Sequence, residues 1–252
     1  MKQTHPPLLL IDADVPLYKA SFASELETNW GDGLWTLHSD LENAEVIFRD
    51  ELEKITEAFP KNYGTILCFS GSNNWRNAVL PEYKANRKKN RKPVVLAALR
   101  KSIEESYLTM SLGGLEADDI LGLFSQSGIM VSIDKDLRTV AGFHYNPNKP
   151  DEGVCEVTDE EAHYNHMYQT LCGDTTDGYK GCPSVGPKTA EKILSDLHPS
   201  DMWGAVTQAY EKKGLGEEDA MVQARVARIL QPLEYDFSSG EVILWGTEEA
   251  DE

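Results

Sequence analysis

The stretch LLLIDAD, residues 8–14, places two carboxylates directly after a short run of aliphatic side chains. Short continuous apolar runs are typical of strands that are covered on both faces of a sheet. Two further runs have the same form: Thr65 to Phe69 leads into Ser70-Gly71, and Ile129 to Ile133 leads into Asp134. We therefore predict three buried strands whose carboxyl ends carry polar groups.

Two amphipathic helices, predicted at about 40–58 and 94–109, lie between these strands. Strands that alternate with helices indicate an α/β fold with a mainly parallel central sheet covered by helices. In such sheets sites form at the carboxyl ends of the strands, so residues distant in sequence can meet there.

The second part of the chain has a different pattern. After the loop-like segment 146–153 the sequence is mostly helical as far as Leu233. We therefore predict an α/β domain at 1–158 that carries the site, and a helical region at 159–252. The late apolar run Val242 to Trp245 is expected to return to the sheet.

The composition is that of an ordinary globular protein, with 252 residues, 40% hydrophobic and 26% charged. No apolar run approaches the roughly 20 residues needed to span a bilayer, and the start MKQTHPP lacks the apolar core of a signal peptide. The sequence therefore predicts a cytoplasmic protein without a membrane partner. The acidic tail EEADE, residues 248–252, is expected to be disordered.

The net charge of −18 at first argues against nucleic acid as a partner, because binding along phosphates depends on cations. However, nine basic residues and one acidic residue lie between Trp75 and Lys101, so this basic segment carries +8. The segment is either a solvated helix surface or a contact surface for an anionic ligand. Its aromatic residues Trp75 and Tyr83 could stack on bases or pack in the interior.

Acidic residues form four groups that follow predicted strands or begin predicted helices. Each group alone could simply stabilise a helix N-terminus. If the groups converge, six or more carboxylates would repel one another unless divalent cations neutralised them. Oxygen ligands suit Mg²⁺ or Mn²⁺, and two such ions can hydrolyse a phosphodiester by in-line displacement. The groups are Asp12 and Asp14; Glu116, Asp118 and Asp119; Asp134 and Asp136; and Asp174 and Asp177.

The spacing within two groups predicts which carboxylates share a site. In GLEADDILG, residues 114–122, Glu116 and Asp119 are three apart and share a helix face, whereas Asp118 points elsewhere unless the helix begins there. In SIDKDL, residues 132–137, the alternation would place Asp134 and Asp136 on one side of an extended chain.

A glycine-rich turn follows the last acidic group in GYKGCPSVGPKTAEKIL, residues 178–194. Such a turn that leads into a helix can present backbone N–H groups to a phosphate without regard to base sequence. A plain interhelical turn is the alternative. The spacing does not match a P-loop, since Pro187 precedes the lysine.

In this order the motifs resemble those of the 5′-nucleases of the flap endonuclease superfamily, which includes the 5′-to-3′ exonuclease domain of DNA polymerase I. The resemblance covers Leu8 to about Leu194. LLLIDAD resembles the strand–Asp opening of the family, and FSGSNNWRNAVLPEYKANR (69–87) resembles the segment that leads into its helical arch. GLEADDILG, SIDKDL and GDTTDG (173–178) resemble its acidic helix, its Asp-x-Asp strand and the acidic pair before a helix-hairpin-helix-like (H3TH) module.

The resemblance implies a PIN-like 5′-nuclease core with a C-terminal H3TH module, and a 5′-to-3′ exonuclease that also cleaves flaps. Lys84 and Arg87 would contact the scissile phosphate and, with Asp134 and Asp136, form the catalytic set. Two Mg²⁺ or Mn²⁺ ions would be held by Asp12, Glu116, Asp118, Asp119, Asp134, Asp136, Asp174 and Asp177.

The resemblance also implies the partners. The substrate would be duplex DNA with a 5′ end, nick or flap, or the RNA strand of a hybrid, bound by a monomer. Residues that would contact DNA are Arg76, Tyr83, Lys84, Arg87, Lys88, Lys89, Arg91, Lys92, Gly186, Lys188 and Thr189. A K⁺ ion would be bound at Cys182 and Val185.

One departure from the family concerns the first metal site. Ser70 stands where most relatives have Asp, which would weaken metal binding there, and Asp14 is a candidate to compensate. Two other interpretations stay open. A phosphatase of the haloacid dehalogenase type would use Asp12 as a nucleophile, although the basic segment has no role in it. A non-catalytic protein that recognises DNA structure would account for Ser70.

Overall fold

Six strands form the central sheet of the computed structural model, which describes residues 7–246 apart from the side chain of Lys88. Three are the predicted apolar runs, and three are additional. The strands are β1 (Leu8–Asp12), β4 (Gly64–Cys68), β5 (Thr109–Met110), β6 (Ile129–Val131), β7 (Gly142–Tyr145) and β8 (Val154–Val157). Their order in the sheet is β5-β4-β1-β6-β7-β8, and every pair is parallel except β7 with β8. The predicted α/β fold with a mainly parallel sheet is therefore confirmed.

Helices cover both faces of this sheet. Successive side chains of β1 point to opposite faces, so Leu9 and Ile11 pack against one helical layer and Leu10 against the other. The predicted helices at 40–58 and 94–109 are present with shorter bounds. The first layer contains α1 (Asp14–Ala23), α2 (Leu41–Thr56) and α4 (Leu96–Ser106), and the second contains α5 (Ala117–Leu123).

The basic segment does not form one continuous helix. It contains α3 (Arg76–Val79), a 3₁₀ helix at Ala85–Lys89 and the first half of α4. Pro81 and Pro93 interrupt it, and proline lacks the N–H that a helix interior requires.

Four helices follow β8, as the mostly helical pattern predicts. Their shared core includes Met167, Leu171, Val206 and Tyr210. The domain boundary and the H3TH assignment stay predictions. The helices are α6 (Asp159–Cys172), α7 (Pro187–Leu194), α8 (Pro199–Glu211) and α9 (Glu217–Ala227).

The predicted return of residues 242–245 to the central sheet is wrong. β9 (Tyr235–Asp236) and β10 (Glu241–Val242) pair only with each other in a small antiparallel sheet. Trp245 instead packs on His166 and Trp203, with ring centroids 5.0 and 4.9 Å apart, because its indole completes the helical core. The acidic tail at 248–252 lies outside the described residues.

A β-hairpin that the sequence reasoning missed connects α1 to α2. It consists of β2 (Glu25–Gly31) and β3 (Leu34–Ser39), which pair with each other and not with the central sheet. The turn residues Asp32 and Gly33 have φ angles of +49° and +81°. An Asp-Gly pair between β-forming residues is a hairpin signal that could have predicted it. Within 7–246, no helix has the length and hydrophobicity that a membrane span requires.

Candidate active site

The carboxyl ends of β1 and β6 bring two acidic groups together. The strands are parallel neighbours, so Asp12 lies beside the turn that follows β6. The buried carboxylate of Asp12 accepts the hydroxyl of Ser132 at 3.2 Å and the backbone N–H of Asp14 at 3.1 Å. Ser132 Oγ in turn accepts the N–H of Asp134 at 3.1 Å. Asp12, Asp14 and Asp134 therefore surround one edge of the sheet.

The first turn of α5 points Asp118 at the same edge, which is the case that the sequence allowed for a helix that begins there. The helix begins at Ala117, with Glu116 as its N-cap. Asp118 Oδ1 is shielded from solvent and has no hydrogen-bond partner in the described part of the chain. Burial, together with the charges of Asp12 and Asp134, raises the pKa of Asp118 well above its ordinary value. Asp118 thus faces the carboxylates at the ends of β1 and β6.

The side chain of the neighbouring residue Asp119 points away from this edge and forms an ion pair with Arg76. The guanidinium of Arg76 donates to its two oxygens at 2.7 and 2.8 Å. The indole of Trp75 and the backbone N–H groups of Glu116 and Leu230 also donate to it, at 3.1 to 3.2 Å. A carboxylate has about four acceptor positions. Because these are filled, the prediction of Asp119 as a metal ligand does not fit the structure.

Arg76, likewise, does not fit its predicted role as a DNA contact. Its side chain is 3% exposed, and besides Asp119 it donates to the carbonyl oxygens of Val226 at 3.0 Å and Arg228 at 2.5 Å. It also approaches Glu116, with Nη1 3.3 Å from Oε2. Arg76 therefore joins the start of the basic segment to the end of α9.

Of the two aromatic residues of the basic segment, Tyr83 packs inside the protein and Trp75 is partly buried, which favours the alternative to base stacking. Tyr83 is buried, and its hydroxyl donates to Glu116 at 2.9 Å and to Asp177 at 3.2 Å. The indole N–H of Trp75 is used by Asp119. The predicted DNA contact by Tyr83 therefore does not fit this geometry.

The chain after β6 is not extended through Asp136 as the alternation predicts. Asp134 caps a 3₁₀ helix at Lys135–Thr139 by accepting the N–H of Asp136 at 2.8 Å. Burial is the largest cause that raises the pKa of Asp136 to about 7, followed by repulsion from Asp134, Asp174 and Asp177. The fourth acidic group therefore approaches the others through Asp136.

A tight loop fixes the position of this fourth group. Residues 173–181 fold back on themselves so closely that a Cβ on Gly181 would lie 2.3 Å from the backbone nitrogen of Gly173. Both glycines have φ near +65°, where other residues are strained. Inside the loop, Asp174 Oδ1 accepts the N–H of Asp177 at 3.2 Å.

Two predicted catalytic cations lie at the rim of these carboxylates. Lys84 Nζ is 2.5 Å from Glu116 Oε1 and 3.4 Å from Asp177 Oδ2, while Arg87 forms an ion pair with Asp177. Lys84 has a left-handed backbone, with φ of +53°, and its N–H donates to the Asp177 carbonyl at 2.7 Å. Burial by itself would raise the pKa of Glu116, but the charges of Arg76 and Lys84 lower it to about 2.

Asp14 is hydrogen-bonded to Ser70, the residue that stands where most 5′-nucleases have Asp. The carboxylate of Asp14 accepts the N–H of Ser70 at 3.1 Å, and Ser70 Oγ accepts the N–H of Ala117 at 3.0 Å. Burial, and to a smaller degree the charge of Glu116, raises the pKa of Asp14. Asp14 thus lies between β4 and α5, and its compensation for Ser70 stays a hypothesis.

The converging carboxylates form what we call the acidic cluster. Its chemistry fits a divalent cation, because every candidate ligand is an oxygen and Asp118 Oδ1 is buried without a partner. Burial and the charges of Asp14 and Asp134 raise the pKa of Asp12 to about 7. Among residues 7–246 no three acidic, His or Cys side chains form a preformed metal cage. Mg²⁺ retains waters and takes few carboxylates, so it does not need such a cage. The cluster contains Asp12, Asp14, Glu116, Asp118, Asp134, Asp136, Asp174 and Asp177.

The other predicted nucleic-acid contacts lie apart from the cluster. Lys89, Arg91 and Lys92 are exposed, and the side chain of Lys88 is not described. Gly186 is the N-cap of α7, where Lys188 and Thr189 are exposed in the first turn. Cys182 and Val185, the predicted K⁺ site, are buried in the preceding turn, and their role stays a prediction.

The family model described as "5′-3′ exonuclease, N-terminal resolvase-like domain" matches residues 7–164, which include most of the acidic cluster and the whole central sheet. The chain belongs to this 5′-3′ exonuclease family. It is 28% identical to the exonuclease of Escherichia phage T7 over 94% of this chain and 93% of that protein. It is also 28% identical to the DNA polymerase I of Bacillus caldotenax over 74% of this chain, which corresponds to 23% of the polymerase.

The fold is shared with a solved phage protein. The bacteriophage T5 flap endonuclease, in a pseudo-enzyme–product complex with DNA and metal ions, aligns with a TM-score of 0.60 and 15% identity. The alignment covers 87% of this chain and 88% of the T5 chain. The aligned share of this chain is larger than the part that the family model matches.

Proposed function

We propose that this member of the family is a metal-dependent 5′-to-3′ exonuclease with flap endonuclease activity, which hydrolyses DNA by a two-metal-ion mechanism. The crowded carboxylates at the sheet edge carry this proposal. Asp118 Oδ1 is buried without a partner, and burial with like-charge repulsion raises the pKa of Asp12 and of Asp136 to about 7. Such crowding is costly for folding unless cations bind there.

The positions of the carboxylates suggest how two ions would be shared. Asp12, Glu116 and Asp118 lie at the β1 and α5 side, Asp136, Asp174 and Asp177 lie at the loop side, and Asp134 lies between the two sets. When bound, two ions activate water and stabilise the attacking and leaving oxygens of a phosphodiester. We infer Mg²⁺ or Mn²⁺ from the all-oxygen ligand set.

In this proposal Lys84 and Arg87 bind the scissile phosphate. Both form ion pairs with carboxylates of the acidic cluster, which supports contact with a phosphate that lies against it. Their cationic groups would stabilise the charge that develops on the phosphoryl oxygens. Arg87, which is nearly half exposed, is the more accessible of the two.

The DNA strand would then follow the exposed part of the basic segment, through Lys88, Lys89, Arg91 and Lys92. The N-terminus of α7, with Gly186, Lys188 and Thr189, suits duplex phosphates because the helix dipole is positive there and the side chains of Lys188 and Thr189 are exposed. An H3TH module there, a K⁺ ion beside it, action on RNA–DNA hybrids, a monomeric state and a cytoplasmic location are parts of the same proposal.

The activity test uses 5′-labelled duplex DNA with Mg²⁺. Wild-type protein is expected to release 5′-phosphorylated products, and Asp134→Ala combined with Asp136→Ala is expected to abolish them. Asp151→Ala, at an exposed site outside the cluster, is the matched control. Cleavage that survives the double substitution would contradict the proposal. Tight binding of flap DNA by wild-type protein without cleavage in Mg²⁺ or Mn²⁺ would establish the non-catalytic alternative.

A further inference from the structure

The β2–β3 hairpin exposes two tryptophans. Trp30 and Trp35 are 66% and 59% exposed, and Leu26 and Leu34, on the hairpin face of Trp30, are similarly exposed. Large aromatic side chains are mostly covered in folded proteins, and exposed apolar clusters commonly mark binding sites. Neither the acidic cluster nor the proposed phosphate contacts make use of these side chains.

The strand register assigns the two tryptophans to opposite faces of the hairpin. Asn29 is paired with Trp35 and Glu25 with Ser39. Because side chains alternate along a strand, Trp35 shares a face with Asn29 and Glu25. Trp30 lies on the other face, where its indole N–H donates to Thr36 Oγ1 at 2.9 Å.

The face that carries Trp35 is the one that meets the basic segment. Arg91 donates to both carboxylate oxygens of Glu25 at 2.6 and 2.7 Å, and the N–H of Val94 donates to Glu25 at 2.8 Å. Arg91 also lies over the ring of Phe22, 5.4 Å from its centroid. Trp35 pairs with Asn29, which is four residues after Glu25. Trp35 therefore lies about 13 Å from Glu25 along the strand direction.

We propose that the Trp35 face stacks unpaired nucleobases of a DNA strand whose phosphates follow the basic segment. This inference rests on the proposed function, which supplies a DNA substrate. The charges favour this occupant: the neighbouring segment is basic and suits phosphates, whereas Glu27 on the Trp35 face disfavours them. A neutral base can stack on an indole regardless of sequence, as in proteins that bind single strands.

Equilibrium binding of flap DNA tests the stacking directly. The probe is a labelled duplex with a single-stranded 5′ flap, compared with the same duplex whose flap is abasic, and both are titrated in EDTA. Wild-type protein is expected to bind the abasic flap about tenfold more weakly, because the phosphates are kept and the bases are lost. Trp35→Ala is expected to weaken binding to the normal flap by a similar factor and to bind both flaps equally.

Trp30→Ala is the matched control, since it removes an equally exposed indole from the opposite face. It is expected to bind like wild-type protein. Equal affinity of wild-type protein for normal and abasic flaps, or equal losses in the two variants, would overturn the inference. Wild-type cleavage of a fully paired nicked duplex in Mg²⁺ is measured alongside. Cleavage there without base-dependent flap binding would reject the stacking face alone, whereas absence of cleavage would reject the proposed function.

Discussion

Asp118 and Asp119 are neighbours in the chain, yet their carboxylates lie in opposite electrostatic environments. Asp119 receives five donated hydrogen bonds, two of them from the guanidinium of Arg76. Asp118 has a buried oxygen without a partner and faces further carboxylates. Both have a carboxylate oxygen shielded from solvent, so shielding does not distinguish a structural carboxylate from a candidate ligand. The two carboxylates differ instead in the positive charge and the hydrogen-bond donors that surround them.

The difference arises from the start of α5. Asp119, the third residue of this helix, accepts the backbone N–H of the N-cap residue Glu116 at 3.1 Å. This geometry directs Asp119 inward, toward Arg76 and the end of α9. Asp118, in the same turn, is left to face Asp12 across the sheet edge. We therefore expect substitutions at the two positions to affect different properties, stability at one and catalysis at the other.

The largest effect is expected on stability, from Asp119→Leu. Removing this partner leaves the buried Arg76 guanidinium with only the longer contact to Glu116 at 3.3 Å, which costs about 3–5 kcal/mol of the free energy of unfolding. The double variant Arg76→Met with Asp119→Leu is expected to recover most of that loss. Urea denaturation measures both, and a single variant as stable as wild-type protein would contradict the assignment of a buried ion pair.

Asp118→Asn is expected to have a smaller effect, which is a rise in the activation free energy of cleavage. The variant should lose at least about 100-fold in cleavage rate, since even groups behind metal ligands cost 10- to 100-fold. Its stability in EDTA should equal or exceed that of wild-type protein, because one repelling charge is removed. Single-turnover cleavage with Mg²⁺ and parallel melting curves check this. Activity close to that of an Asp151→Asn control would argue against a role for Asp118.

The crowding of the acidic cluster also predicts a pH dependence in EDTA. Between the ordinary Asp pKa of 3.8 and the raised values of about 7 for Asp12 and Asp136, the folded state binds more protons than the unfolded state. Stability should therefore fall as the pH rises from 5 to 8, by about 2.5 kcal/mol for each of the two groups. Thermal melting in EDTA measures this fall, and Mg²⁺ at pH 8 should reverse it. A melting temperature that is constant over this range would contradict the crowding.

The smallest effects are expected from Tyr83→Phe and Arg91→Ala, which compare a buried residue and an exposed residue of the basic segment. Tyr83→Phe removes one buried hydroxyl and should cost about 1 kcal/mol of stability without changing the salt dependence of DNA binding. Arg91→Ala should reduce the slope of log affinity against log salt by about 1. Fluorescence anisotropy at several salt concentrations compares the two. A reduced slope for Tyr83→Phe would show that Tyr83 contacts DNA and would contradict its assignment to the protein interior.

Much of the fold could be predicted because its signals are local. The apolar runs that end in Asp12 and Asp134 identify buried parallel strands, and the sheet edge where they end follows from general rules for such sheets. The hairpin was missed because its turn signal, Asp32-Gly33, lies between strands without a regular alternation of apolar and polar residues.

The side-chain partners in the site could not be predicted in the same way, because they depend on contacts distant in sequence. Arg76 reaches Val226, 150 positions away, so its burial cannot be derived from a count of basic residues. Likewise, the sequence places both Asp118 and Asp119 in the metal site, because it does not show that Arg76 and the backbone N–H groups occupy the oxygens of Asp119.

Mn²⁺ binding to three purified proteins tests the contrast between the two neighbouring carboxylates most directly. Isothermal titration calorimetry would compare wild-type protein, Asp118→Asn, and Arg76→Met with Asp119→Leu. We expect Asp118→Asn to weaken Mn²⁺ binding at least about tenfold and the double variant to bind like wild-type protein. Wild-type affinity in Asp118→Asn, combined with a loss in the double variant, would show that Asp119 is the ligand and contradict the assignment made from the structure.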